Sequence, residues 1–181
     1  FPRGLAVGPE GRLYVADDFN NRVQIFAPPF ADGDGAVDSI GAGANGGFAH
    51  PKGLAMVGST LFVADYDNNR VLRFTGPFTT PDQVYVATAT FSGVTKPVDV
   101  AIDGMGSLLV TEQQTPRVAV FDGAPWWDSD STPDELYADF LGPEPLGVAS
   151  DRTGRVYIAD YRNYRVLIRE ERTRTTPVDP N

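Results

Sequence analysis

Tyr14-Val15-Ala16-Asp17-Asp18-Phe19-Asn20-Asn21-Arg22-Val23 and Phe62-Val63-Ala64-Asp65-Tyr66-Asp67-Asn68-Asn69-Arg70-Val71 are two copies of one pattern. A short run of β-formers ends on an acid, a polar turn follows, and an arginine opens the next run. Two further copies run from Leu109-Val110-Thr111-Glu112 to Arg117-Val118 and from Tyr157-Ile158-Ala159-Asp160 to Arg165-Val166. Each copy follows an opening of its own: Pro2-Arg3-Gly4-Leu5-Ala6, Pro51-Lys52-Gly53-Leu54-Ala55, Pro97-Val98-Asp99-Val100-Ala101 and Pro145-Leu146-Gly147-Val148-Ala149. The prolines recur every 46–49 residues or so, and a fixed period of this size marks supersecondary units stacked one on the next.

Within one unit the only legible period is two, and helical periodicity is absent. Residues 4–7 are apolar, Gly8-Pro9-Glu10-Gly11 breaks them, 13–16 resume, and 22–26 alternate as a half-buried strand does. A weaker fourth strand is expected at 37–40, after Pro28-Pro29-Phe30 and a Gly/Asp-rich loop. Four short antiparallel strands per period describe a β-propeller blade. Pro29-Phe30, Pro77-Phe78 and Pro125-Trp126 mark the connection to the fourth strand, which is expected at 83–87 and 135–139 in the next two units. The blades are read as about 1–48, 49–95, 96–143 and 144–181. After Ile168 neither a Pro-aromatic pair nor a clear fourth strand follows, so the last blade is expected to be incomplete. The chain also opens on Phe1, at the start of a repeat, as an excised or processed segment would. Open sheet edges invite pairing, so continuation in a larger ring is expected, with self-association through the open blade edges or a four-bladed ring as the other outcomes.

Of 181 residues, Lys plus Arg contribute 15 and Asp plus Glu 24, for a formal charge of −9. That balance argues against nucleic acid or an anionic membrane as partner, since both need a basic surface. No apolar run approaches a membrane span. With no cysteine, disulfides and thiolate metal sites are excluded. His50 is the only histidine, which rules out a His-rich zinc set, and no serine carries a nucleophile motif beside it. His50 aligns with Phe1, Lys96 and Glu144 and reads as a tolerated loop position. Asp32-Gly33-Asp34-Gly35 with Asp38, and Asp128-Ser129-Asp130-Ser131 with Asp134, offer hard oxygens suited to Ca²⁺ but lack the EF-hand spacing. They read as solvated turn acids, and no cofactor is expected. Trp126 occupies the slot of Phe30 and Phe78 and reads as a packing residue, whereas Trp127 has no aromatic counterpart.

The repeated residues resemble the NHL-repeat family of β-propellers, with its V-A-D-x-x-N-N-R-V core behind a P-x-G-L-A opening. The fourth copy keeps Asp160, Asn163 and Arg165 but has Tyr164 for the second asparagine. The third departs most, with Glu112 for the aspartate and Thr115-Pro116 for the asparagine pair. The Pro-Phe connection with its acidic loop is similar to bacterial members. The resemblance implies an all-β propeller of four-stranded antiparallel NHL blades, about four of them visible in a ring of about six. It also implies an alternative activity, a Ca²⁺-dependent lactonase-like hydrolase or a lyase with its site in the central channel. Propeller lyases that depend on metal and histidines find no such set here. The expected location is extracellular or periplasmic, with no targeting segment visible.

Inside the motif, Asp and Arg stand at the two ends of a tight connection and are expected to face each other across a hairpin. The asparagines tolerate left-handed backbone and bond their own turn. Residues identical in every blade serve a task common to every blade, which is structural. Antiparallel order places the start of strand one, the end of strand two and the start of strand three on one face. Arg3, Lys52 and Val98 then lie near the channel mouth, with the tips Asp18-Phe19, Tyr66-Asp67, Gln113-Gln114 and Tyr161-Arg162 around them. These positions vary while the scaffold does not, as recognition loops do. Phe19, Tyr66 and Tyr161 are aromatic anchors of the kind that dominate interfaces. The expected site is therefore Arg3, Phe19, Lys52, Tyr66, Asp67, Gln113, Tyr161 and Arg162. It belongs to a non-catalytic scaffold that binds a protein, peptide or glycan.

Overall fold

The computed structural model describes residues 1–41, 46–79, 84–122, 132–138 and 144–170. The chain is all-β, with four antiparallel blades. The first blade comprises β1 (Pro2–Val7), β2 (Leu13–Asp17), β3 (Arg22–Phe26) and β4 (Asp38–Ile40). The second comprises β5 (Pro51–Val57), β6 (Thr60–Asp65), β7 (Arg70–Thr75) and β8 (Ala89–Phe91). In the third are β9 (Pro97–Ile102), β10 (Leu108–Glu112), β11 (Arg117–Phe121) and β12 (Glu135–Tyr137). The fourth has three strands among the described residues: β13 (Pro145–Ser150), β14 (Val156–Asp160) and β15 (Arg165–Arg169). Each sheet is a simple meander in chain order. The innermost strands β1, β5, β9 and β13 pack side by side in succession.

The hydrophobic core lies between blades. Tyr14, Ala16, Val23, Ile25 and Ile40 of the first blade meet Leu54, Leu61, Val63, Leu72 and Phe74 of the second. The second turns its other face, Phe62, Ala64, Val71 and Phe91, against Val100, Leu108, Val110, Ala119 and Phe121. Leu109, Val118 and Val120 then meet Val148, Val156 and Ile158. Strands of the middle blades are buried on both faces, which is why β6 and β10 read as continuous apolar runs instead of alternating ones. Each fully buried Leu or Phe in these seams contributes roughly 1.5–3 kcal/mol.

At the two ends the pattern stops. Leu5 on the first blade and Val166 on the fourth are both 62 % exposed, and Val7 and Ile168 are exposed beside them. Among the described residues β13 and β1 do not pack on each other as the consecutive inner strands do. Among the described residues the first and the fourth blade thus each leave one apolar face exposed.

Two of the three described fourth strands fall within the expected segments and one does not. Residues 38–40 and 135–137 pair within the expected windows. In the second blade the ladder forms at Ala89–Phe91, beyond the expected 83–87. The described part of that window is drawn elsewhere. Tyr85 is buried against Phe78, with ring centroids 5.2 Å apart, and its hydroxyl donates to Asp38 Oδ2 of the first blade at 2.7 Å. Val84 and Val86 are left exposed. Trp126, Trp127, the acidic loop 128–131 and residue 139 of the third expected strand lie outside the described residues.

Candidate functional site

The repeated Asp–Arg pair closes each hairpin as its spacing requires. Arg22 Nε donates to Asp17 at 3.0 Å, Arg70 to Asp65 at 2.7 Å, Arg117 to Glu112 at 2.6 Å and Arg165 to Asp160 at 2.8 Å. The first asparagine of the turn donates to the same acid, at 2.9 Å, in blades one, two and four. The pair also reaches outside its hairpin. Arg70 donates to the Gly47 carbonyl and Arg117 to the Gly93 carbonyl, while Asp65 accepts from Ala49 N–H and Glu112 from Thr95 N–H. In the second and third blades the pair thereby ties down the crossover that enters its blade. The second asparagine adopts left-handed backbone, φ +51° at Asn21 and +52° at Asn69. It also accepts the backbone N–H of His50 or Lys96 in the following blade, at 2.9 Å. These positions form the frame.

Above the frame a polar network crosses all four blades. Arg3 Nε donates to Asp18 at 3.0 Å, and Asp18 also accepts from His50 Nδ1 at 2.7 Å. The other His50 nitrogen lies 3.6 Å from Asp67, and Asp67 pairs with Lys96 at 2.5 Å. The hydrogen bond from Lys96, reinforced by its charge, lowers the Asp67 pKa. Tyr66 Oη donates to Gln113 Oε1 at 2.8 Å, Gln113 Nε2 reaches Glu144 at 3.5 Å, and Glu144 holds Arg162 at 2.8 Å. Phe19 and Tyr161 flank this network, 59 % and 54 % exposed, with Phe19 edge-on to His50 and tilted against Phe1, and the Arg162 guanidinium 5.7 Å from the Tyr161 ring centroid.

Inside the ring of polar groups the four inner strands leave a pocket of about 550 Å³, lined by Arg3, Gly4, Lys52, Gly53, Val98, Asp99, Gln113 and Leu146. Of the expected site residues, Arg3, Lys52 and Gln113 come together in this lining. Tyr66 forms its rim, with Lys52 Nζ 3.1 Å from its ring centroid. Asp67 and Arg162 are engaged in ion pairs beside it, and Phe19 and Tyr161 lie outside. Burial, followed by the Arg3 charge, lowers the Lys52 pKa.

Asp99 is the site residue that motif reading passes over. It stands where blades one, two and four carry Gly4, Gly53 and Gly147. Its carboxylate accepts Val100 N–H at 2.9 Å and, across to the next blade, Val148 N–H at 3.0 Å. Its ladder partner Thr111 replaces the alanines at 16, 64 and 159, and the Thr111 hydroxyl oxygen accepts Asp99 N–H at 3.0 Å. A Gly–Ala pair has thus become Asp–Thr in one blade, a departure visible once the four openings are aligned. His50 likewise exceeds its reading as a tolerated loop position, since it joins acids of two blades.

Burial raises the Asp99 pKa against the lowering effect of the two backbone donors. The folded state therefore holds this proton more tightly than the unfolded chain does. The resulting stabilisation is complete below the ordinary carboxylate range and is lost as pH rises through the raised value. Asp99→Asn cannot show this loss. The stability of the native protein relative to Asp99→Asn is expected to fall between acidic and neutral pH, read from paired denaturation midpoints. A difference independent of pH contradicts the prediction.

Among the described residues no group of three or more His, Cys, Asp or Glu side chains is placed to hold a metal ion. Residues 1–26 and 143–168, the openings and hairpins of the first and fourth blades, match the NHL repeat. No curated protein matches the sequence. Solved structures with a similar fold are propeller proteins. One is a catalytically inactive virginiamycin B lyase from Staphylococcus aureus with quinupristin: TM-score 0.66, 14 % identity, 97 % of this chain and 56 % of that one. Another is a putative 6-phosphogluconolactonase from Bacteroides fragilis: TM-score 0.69, 16 % identity, 93 % of this chain and 50 % of that one. A third is the hydrazine synthase of Kuenenia stuttgartiensis: TM-score 0.64, 14 % identity, 93 % of this chain and 48 % of that one. The chain spans about half the length of these structures.

Proposed function

We propose that this chain, with its NHL repeats, is a binding propeller that receives a protein, peptide or glycan at the face around the channel mouth. The observation that carries this reading is the pocket built jointly by all four inner strands and bordered by a polar network that fixes its rim. A frame made of repeated residues holds positions that differ from blade to blade, so specificity is set by the variable positions while the fold is left alone. Gln113 supplies an oriented amide at the pocket wall, and Tyr161 an exposed ring beyond it.

Peptide and glycan arrays probed with the native protein, Gln113→Ala and Tyr161→Ala test the reading. Ligands found with the native protein are expected to lose about tenfold or more in affinity to at least one variant, as interface anchors do. Thermal melting is expected to change little for Tyr161→Ala, whose ring is more than half exposed. Ligands that bind all three proteins equally would remove this face from consideration.

A second reading has one observation in its favour, the carboxyl of Asp99 set into the pocket wall with its pKa raised. A proton donor in a cleft suits a hydrolase or lyase working in the channel. Turnover of a lactone by the native protein and not by Asp99→Asn would favour it over binding alone.

A further inference from the structure

The chain is acidic overall, yet Arg3, Lys52 and Lys96 gather at the channel mouth. Arg3 is neutralised by Asp18 and Lys96 by Asp67. Lys52 differs. Its ammonium lies over the Tyr66 ring, and among the described residues no carboxylate stands within ion-pair distance of it. The acids nearby are already engaged: Asp18 by Arg3 and His50, Asp67 by Lys96, and Glu144 by Arg162. Asp99 is held by two backbone N–H groups. A half-buried ammonium held over a ring, lining a cavity and, among the described residues, without a carboxylate in ion-pair contact, with Asp18 and Asp67 acting on it only from beyond that distance, is arranged for an anion that arrives from outside.

We infer that Lys52 anchors a single carboxylate of the ligand, drawn into the pocket with the rest of the molecule against Val98 and Leu146. This inference rests on the binding reading above and gives it a ligand chemistry. One negative charge fits better than several, because a chain of net charge −9 repels a polyanion and the pocket wall itself carries Asp99. A volume of about 550 Å³ falls within the range of small-ligand sites, enough for an acidic sugar or an acidic amino-acid side chain.

The two sources are separated by titration calorimetry of the intact chain. Galacturonate is compared with galactose, and N-acetylglutamate amide with N-acetylglutamine amide. At least one acid is expected to bind about tenfold or more tightly than its neutral counterpart, and the acid that does so identifies the source. Lys52→Met is expected to abolish the preference and Lys52→Arg to retain most of it. Should Lys52→Met fail to fold, salt provides the second measurement: raising ionic strength is expected to weaken the acid and leave the neutral compound unchanged. Equal binding of acid and neutral compound, a preference that survives in Lys52→Met, or acid binding indifferent to salt overturns the inference. Failure of both acids to bind overturns it too. None of these outcomes touches the binding face, which stands or falls on the response of array ligands to Gln113→Ala and Tyr161→Ala.

Discussion

Asp65→Ala is expected to cost about 3–5 kcal/mol of folding stability, the range for removing one partner of a buried ion pair. Asp65 is fully buried, and three groups converge on it: Arg70 Nε at 2.7 Å, Asn68 Nδ2 at 2.9 Å and Ala49 N–H at 2.7 Å. Alanine would take the carboxylate from the Arg70 guanidinium, which keeps the Gly47 carbonyl, and leave the Ala49 N–H without its acceptor, in a blade packed on both faces. The first-blade variant Asp17→Ala is expected to cost less. Its partner Arg22 is more exposed, and water replaces part of the lost interaction. Chemical denaturation of the two variants beside the native chain measures both losses. Equal losses would show that burial does not set the strength of these pairs.

Gly53→Ala is expected to be the second large effect, about 1–3 kcal/mol or more from overpacking. A Cβ at this position would stand 2.5 Å from Asp99 Cα and 2.5 Å from its Oδ1, in a place where neighbouring inner strands almost touch. One of these two obstacles is backbone, so a change of rotamer cannot relieve the clash. Gly147→Ala provides the contrast, because its Cβ would meet Ala159 Cβ at 3.5 Å, an ordinary contact. There the reduced freedom of the unfolded chain offsets any strain, and little or no loss is expected. Comparable melting temperatures for the two variants would contradict the close approach of β5 and β9.

Much of this molecule is legible in its sequence because it says the same thing four times. The strands of each hairpin, the Asp–Arg closure and the left-handed asparagines follow from local chemistry, and local chemistry is what a motif records. What escaped the reading depends on neighbours. The fourth strand of the second blade moved because Tyr85 has better partners in Phe78 and Asp38 than in a ladder. His50 gained its role from acids in two different blades, which no stretch of sequence displays together. Asp99 lay in view, as the one carboxylate among glycines, but its significance needed the next blade, where Val148 donates to it. For the candidate site, the sequence indicated the face and four of the pocket residues, Arg3, Lys52, Val98 and Gln113, while the absence of a described carboxylate in contact with Lys52 emerged only once its surroundings were placed.

The joints between blades have one property with a wider consequence. Gly47 and Gly93 offer carbonyls, Ala49, Thr95, His50 and Lys96 offer N–H groups, and in each case the Arg, the acid (Asp65 or Glu112) or the Asn of a hairpin reaches main chain and not side chain. Every amino acid except proline supplies both groups, so the hydrogen bonds of such a joint do not read the side chain they grip, and the left-handed backbone at Gly47, Gly93, His50 and Lys96 is what restricts the choice of residue there. A blade can be duplicated in tandem and engage its copy at once, and either copy can then drift in sequence without loosening the connection. Lys96 occupying the place of His50 is one such drift.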